Sequence, residues 1–452
     1  MYIIVMKKVL LVLSFIFLIP NIFGYIDPGT GGYLISSLWS WLVGMVTLIF
    51  AIVIRFFKYK VWFFCKKYKY FVLPSFVLLL GISSFFLFFN GYEKEFNLPN
   101  YNKARIGGNI IAVDSIYDGY NLYNGILIDM NGNQVKNWSY NYLSILDEDG
   151  FYYAQKGYEA LEFGKFYFNG TPVWIKEIPI HHEIYLTPTE TVIVMSKKAE
   201  VYNGRNVEFD VLLEFDKDGE FLGKWSTYEN LVEIKTFHRE LELDKPKSII
   251  LPEDHKKNTS IWGAEYDYYH MNAFSVVPDN SMKSFHPAFK PGNWIVSFRH
   301  GSMTFILDKD TKKVLWSGIY DQIKDNLEGQ HLAKMSENGN VRIFDNGRYR
   351  GWSRIVEINP VSMEVVSEIK FDDFFTYSQG FFQDLPNGNI LITESEDGRV
   401  FEINSDLEVV WEFYNPDMKV LEENGGQEIH NEIYRMTRYD KEFIDKLLEE
   451  DK

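Results

Sequence analysis

Three of the nine histidines stand at comparable places along the chain. His182, with His181 before it, precedes Glu183-Ile-Tyr-Leu-Thr-Pro. His270 precedes Met271-Asn272-Ala-Phe-Ser-Val-Val-Pro, and His331 follows Gly329-Gln330 ahead of the Asn338-Gly339-Asn340 turn. Imidazole titrates near neutrality, so it can carry protons in either direction. Arginines accompany these histidines. Arg299 closes Trp294-Ile-Val-Ser-Phe, and Arg348, Arg350 and Arg354 follow Phe344-Asp345-Asn346-Gly347. A guanidinium fork matches the oxygens of a planar or tetrahedral anion. In a chain of net charge −16, Arg beside His points to an anionic ligand. Arg299 and Arg350 are expected in the pocket, and Arg348 in a surface ion pair. The histidines lack the i, i+4 or cysteine spacing of a zinc site. No metal and no cofactor are therefore expected.

A repeat must position these residues. Its unit is a strand ending in an acidic or polar turn, followed by a strand ending in Trp. Ile126-Leu-Ile-Asp-Met-Asn-Gly leads to Trp138, and Phe166-Tyr-Phe-Asn-Gly to Trp174. Leu212-Leu-Glu-Phe-Asp-Lys-Asp-Gly leads to Trp225, and Phe305-Ile-Leu-Asp-Lys-Asp to Trp316. Val356-Glu-Ile-Asn-Pro leads to a copy without Trp, and Val400-Phe-Glu-Ile-Asn-Ser-Asp to Trp411. Six copies, each long enough for four strands of a blade, predict an all-β, six-bladed β-propeller over residues 95–436. The wide gap between Trp225 and Trp316 holds an insertion around residues 228–262. A second signal is a turn like Leu385-Pro-Asn-Gly-Asn, also seen at Ser336-Glu-Asn-Gly-Asn, Leu186-Thr-Pro-Thr-Glu and Lys290-Pro-Gly-Asn. The strand after it is expected to be the inner strand of the blade. Residues 437–452 read as a C-terminal helix, with Phe443, Ile444, Leu447 and Leu448 at helical spacing.

The N-terminal part differs in composition. Residues 1–90 carry eight Lys/Arg against one Asp, a net of +7, and the other 38 basic and 61 acidic residues give −23. An acidic body excludes a phosphate-backbone footprint, so no nucleic acid is expected as partner. Lys7 and Lys8 precede an apolar run, so residues 1–24 read as a signal peptide or a first transmembrane helix. Residues 25–92 hold two further uncharged runs, 33–54 and 71–89, long enough to cross a bilayer. Arg55, Lys58, Lys60, Lys66, Lys67 and Lys69 lie between them and are placed in the cytoplasm by the positive-inside rule. The expectation is two or three transmembrane helices in the inner (cytoplasmic) membrane, with the propeller in the periplasm or extracytoplasmic space. The glycine-rich stretch 26–32 lacks the Lys of a phosphate loop and reads as a turn between spans. Cys65 is the only cysteine, so no intramolecular disulfide is available.

The ordered set His270-Met-Asn-Ala-Phe-Ser-Val-Val-Pro, Val296-Ser-Phe-Arg-His, Gly329-Gln-His331, Phe344-Asp-Asn-Gly with Ser353-Arg354, Leu385-Pro-Asn-Gly-Asn, Phe401-Glu-Ile and Trp411-Glu resembles the bacterial arylsulfotransferase family. The resemblance spans residues 110–435. It implies a periplasmic propeller that moves a sulfuryl group from an aryl sulfate to a phenol, with no nucleotide donor, through a sulfated histidine. It also implies catalytic roles for His270, His331 and Arg350. Arg350 and His270 would bind the sulfuryl oxygens, and His331 would exchange the phenol proton. His182, Asn272, Arg299, Arg354 and Tyr377 are the substrate-binding candidates. The family's nucleophilic histidine falls after the Ser353-Arg354 strand. Here residues 371–411 contain no histidine, and Tyr377, Ser378 and Gln379 stand near that place. His182 as the nucleophile, direct transfer without an intermediate, and a different reaction all stay open. So does a non-catalytic propeller that binds an anionic or aromatic ligand or a partner protein.

Overall fold

The computed structural model describes residues 107–451 apart from 112, 158–160, 239–240, 242–259, 320–326, 417–418, 424–425 and 431. The expected membrane helices, and the 26–32 turn, lie outside the described residues. Among the described residues no helix is long and apolar enough to cross a membrane.

Six sheets, each built on four antiparallel strands, form a six-bladed β-propeller; two of them carry a fifth strand, and Lys419–Glu423 and Gly426–His430 make a separate two-stranded sheet. Blade 2 runs outward from Tyr142–Leu146, blade 3 from Ile184–Leu186, blade 4 from Met271–Val276, blade 5 from His331–Met335 and blade 6 from Phe381–Asp384. First strands of neighbouring blades touch one another, which makes them the innermost. Blade 1 is composite. Its strands Gly119–Tyr123, Ile126–Ile128 and Gln134–Asn137 receive their innermost partner, Thr437–Asp440, from the far end of the chain. The strand Gly107–Ile110 pairs with Val409–Tyr414 as an extra outer edge on blade 6. The ring is therefore closed twice, once at the centre and once at the rim.

Alternation along each strand gives a blade two apolar faces, and each packs on a neighbour. Ile193, Met195 and Phe209 of blade 3 meet Phe274, Val296 and Phe305 of blade 4. Blades 4 and 5 share Ile295, Ile306, Val341 and Val356, and the remaining interfaces repeat the arrangement around the ring.

Each of the six repeat copies is the third and fourth strand of a blade. Their composition has two causes. The Asp or Asn ending the third strand caps its own turn: Asp129, Asp216, Asp308, Asn359 and Asn404 each accept from two backbone N–H groups just ahead. The Trp reaches the next blade. Nε1 of Trp138, Trp316 and Trp411 donates to Phe168 O, Pro360 O and Met130 O, each at 2.8 Å. Trp174 donates to Lys217 O at 3.1 Å. Each acceptor sits in the corresponding turn of the following blade, so the Trp is an inter-blade tie.

Two expectations are corrected. The Leu385–Asn389 turn follows the innermost strand and leads to the second strand, Ile390–Glu394. It belongs to the first hairpin of the blade, so the inner strand precedes the turn. The propeller also extends past residue 436, because Thr437–Asp440 is a blade strand and the helix is Lys441–Glu450. Asp440 caps that helix by accepting from Glu442 N and Phe443 N. Its Ile444 and Leu447 pack between blades 1 and 2.

Candidate active site

The chain enters blades 3 and 4 through a left-handed residue, His182 (φ 57°) and His270 (φ 54°). In blade 6 that place is taken by Gln379 (φ 60°). A side-chain-bearing residue adopts this backbone at a cost, so the kink is held by its surroundings. It lies where each strand starts at the channel, and it gathers the imidazoles. The His182 ring centroid lies 5.0 Å from that of His270 and 6.2 Å from that of His331. His181 and His300 flank the group, at 4.9 Å from His182 and 5.4 Å from His270.

Hydrogen bonds fix the tautomers. His270 Nδ1–H donates to Asp267 Oδ2 at 2.5 Å, which leaves Nε2 bare. His331 Nε2 accepts the Gln379 backbone N–H at 3.2 Å, so its Nδ1–H donates to Asn346 Oδ1 at 2.8 Å. His181 Nε2–H faces Ser196 O at 3.3 Å. Its Nδ1 then accepts from His182 Nδ1–H at 2.6 Å, which leaves His182 Nε2 bare as well. Arg299 Nη2 donates to His300 Nε2 at 3.1 Å, and His300 Nδ1–H donates to Tyr268 O.

Behind the histidines lies a buried charge cluster. The long second and third strands of blade 3, Thr191–Tyr202 and Arg205–Asp216, carry Lys197, Glu208 and Asp210 inward. The short strand Tyr266–Asp267 adds parallel to the third and brings Asp267 opposite Glu208. Lys197 Nζ donates to Glu208 Oε1 at 2.8 Å and to Asp267 Oδ2 at 2.9 Å. Burial pushes the carboxyl of Asp267 up, but Lys197 and His270 outweigh it and hold the group well below the usual carboxylate range. Asp210 is pushed up to about 7 by burial, with Lys197 only partly offsetting this. Burial lowers His181 and His331 to about 3. Burial, with neighbouring imidazoles for His182 and Arg299 for His270, takes these two well below the ordinary range also. At neutral pH His181, His182, His270 and His331 are uncharged bases above the Lys197–Asp267 ion pair.

Asp267, His270 and His300 put donor atoms within 4.8 Å of one another, a grouping with metal-ligand chemistry. Lys197 already sits on the Asp267 oxygen and Arg299 on the His300 nitrogen. Two fixed cations at the donors disfavour a metal ion and favour an anion.

A family model described as Arylsulfotransferase (ASST) matches residues 121–416. The chain belongs to the arylsulfotransferase family. No curated protein matches it. Among solved structures, this arylsulfotransferase-family propeller is similar to a protein of unknown function from Bacteroides caccae, at 12% identity and a TM-score of 0.39, over 66% of this chain and 93% of that one. It is similar to virginiamycin B lyase from Staphylococcus aureus, at 11% identity and a TM-score of 0.34, over 62% and 71%. Quinohemoprotein alcohol dehydrogenase from Comamonas testosteroni matches at 9% identity and a TM-score of 0.33, over 73% of each chain. Likenesses this remote say nothing of the reaction.

Within this family frame, the sequence-chosen residues divide. His182, His270 and His331 come together. Asn272 lies with them: its Nδ2 donates to Gln330 O at 2.6 Å, and it lines a small pocket with His331, Gln379, Gly380, Tyr434 and Arg435. Arg299 sits against His300, and its charge acts on both His270 and His331. Arg350 and Arg354 instead share Asp345, at 2.7 and 2.9 Å, and Arg354 also binds Glu368 at 2.9 Å. Arg350 stacks on Trp352 with its guanidinium carbon 4.2 Å from the ring. Tyr377 lies under Arg348, 4.2 Å away, and its backbone N–H donates to Glu396.

Arg348 is a correction. It was expected in a surface ion pair, yet it is half-buried, lies over Tyr377 and has no carboxylate partner among the described residues. Its charge acts on His331. Lys197, Asp210 and Asp267 were not selected from sequence. Asp267 had a readable signal, three residues before His270. Lys197 and Asp210 become neighbours of the site only through the long hairpin.

Proposed function

We propose that this chain is a membrane-anchored arylsulfotransferase that moves a sulfuryl group from an aryl sulfate to a phenol at the mouth of the propeller channel, without a nucleotide donor. The observation that carries the reading is the meeting of His182, His270 and His331 from three blades, all neutral, beside the cations Arg299 and Arg348. A sulfate ester is an anion, and its sulfuryl oxygens keep their negative charge during transfer. Fixed guanidinium groups in a site with little water stabilise that charge without reorganising. Neutral imidazoles with a bare nitrogen can take the proton of the acceptor phenol. His182 fits this role, since its Nδ1–H is held by His181 and its Nε2 is open. His331 fits it less well, because its Nε2 is engaged by the Gln379 N–H. The three apolar runs of residues 1–90, with the basic stretch between the second and third, support an inner-membrane anchor and an extracytoplasmic propeller.

The test is turnover of 4-nitrophenyl sulfate by the full chain in detergent, with phenol present. The expected result is coloured phenol release together with phenyl sulfate. A glutamine rather than a histidine at the left-handed position of blade 6 favours one second reading, a propeller that binds such anions without transferring them. Ligand binding with no turnover for any phenol would establish that reading.

A further inference from the structure

The family resemblance expects a nucleophilic histidine after the Ser353-Arg354 strand, but residues 371–411 contain none, and Tyr377, Ser378 and Gln379 stand near that place. We propose that His270, in blade 4, is the residue that carries the sulfuryl group, with Asp267 as its positioning residue. The inference rests on the sulfotransferase reading and names the covalent atom within it.

Three observations select His270. Its Nδ1–H is donated to Asp267 Oδ2 at 2.5 Å, so the lone pair at Nε2 is available, and Nε2 has no hydrogen-bond partner among the described residues. Its side chain is 17% exposed, against 3% for Asp267, so the ring reaches the channel while its orienting carboxylate does not. Lys197 holds the same Asp267 oxygen at 2.9 Å, which fixes the carboxylate as an anion on the inner side of the ring. The other two imidazoles lack one of these features. His331 Nε2 is covered by the Gln379 N–H. His182 has a bare Nε2, but its Nδ1–H rests on the neutral His181 ring, which cannot neutralise charge.

The step balances as follows. The Nε2 lone pair attacks sulfur of the aryl sulfate. The S–O(aryl) bond breaks, and phenolate leaves with its electron pair. The sulfated ring carries imidazolium charge through Nδ1–H, and Asp267 neutralises it. The acceptor phenol then gives its proton to His182 Nε2, 5.0 Å away ring to ring. Its oxygen attacks sulfur, and the N–S electron pair returns to His270. The proton on His182 passes to water or to the first phenolate. The net change is one sulfuryl group moved and one proton exchanged.

The experiment mixes full-length protein with 4-nitrophenyl sulfate and no acceptor, then quenches at alkaline pH. A burst of about one equivalent of nitrophenol is expected. Peptide mass spectrometry should place one added SO3 group on His270. The variant His270→Asn suits the left-handed backbone there. It should lose the burst and fall at least about 1,000-fold in kcat, with an unchanged melting temperature. His270→Gly should regain turnover when free imidazole is added. Asp267→Asn should lower kcat by about 10- to 100-fold with little change in KM, and flatten the acid limb of the pH–rate profile. An adduct on another residue, or a burst that survives in His270→Asn, overturns the assignment while the sulfotransferase reading stands. No transfer at all by the folded wild-type protein overturns both.

Discussion

Arg438 lies on the strand that closes the ring, with its side chain fully buried. It is ion-paired with Glu402 of blade 6, which is equally buried. Its Nε donates to Asn121 Oδ1 of blade 1 at 2.8 Å, its Nη1 to Tyr117 O at 3.1 Å, and its guanidinium lies 4.4 Å from the Trp411 ring. Glu402 also accepts from Asn389 Nδ2 at 2.6 Å and Tyr117 N at 2.8 Å. Arg438→Met would therefore leave a dry carboxylate with two neutral donors. Removing one member of such a pair costs about 3–5 kcal/mol, because the other charge stays buried. In a domain this large that lowers the melting temperature by roughly 5–10 °C. The stranded carboxyl should take up a proton, with its folded pKa raised above the unfolded value. Stability contributed by that protonation is present at acid pH and lost as pH rises, so the deficit against wild type should shrink from pH 8 to pH 5. Arg438→Met with Glu402→Leu removes both charges and should recover most of the loss. Thermal melting followed by Trp fluorescence measures all three proteins. A single variant within about 1 kcal/mol of wild type, or a double variant in which the losses simply add, would refute the reasoning.

Arg348→Gln should raise KM for the aryl sulfate by about 10- to 100-fold, the worth of one charged hydrogen bond, whereas Arg350→Gln should chiefly lower the melting temperature through Asp345. Steady-state kinetics and melting on both variants separate the two. Trp138→Phe loses an inter-blade bond, while Trp225 Nε1 is buried with no partner among the described residues, so Trp138→Phe should cost about 1 kcal/mol more than Trp225→Phe in denaturant unfolding. His331 is held neutral at about 3, while the unfolded chain takes that proton below pH 6.5. Its contribution is present above pH 6.5 and lost as pH falls. Wild type should therefore lose about 2 kcal/mol more than His331→Asn between pH 7 and pH 5, read from urea midpoints.

The six-fold repeat was legible because its residues have local jobs that recur. An Asp or Asn that caps its own turn in five copies, and a Trp that ties to the next blade in four, leave a mark that recurs along the chain. The innermost strands were misplaced for the converse reason. They carry the site, so His182, Asn272 and His331 differ from blade to blade. The closing strand was missed because four residues before a helix, with Arg438 inward, carry no apolar pattern. Arg348 and Arg350 were interchanged in emphasis because they are two residues apart on one loop, and composition does not reveal which of them Asp345 engages. Lys197 and Asp267 are 70 positions apart, and only the long hairpin of blade 3 with its parallel partner joins them.

The central closure also sets an order of events during synthesis. The strand Thr437–Asp440 leaves the ribosome after every other blade strand, yet its place is the innermost position of the first blade. Until it arrives, Gly119–Tyr123 presents an open row of backbone donors and acceptors, through the time needed to make more than 300 residues. An unpaired edge of that kind is a template for pairing with another chain. A nascent propeller must be kept from its neighbours until its last few residues emerge. Removing those residues should show itself first as aggregation, before any loss of secondary structure.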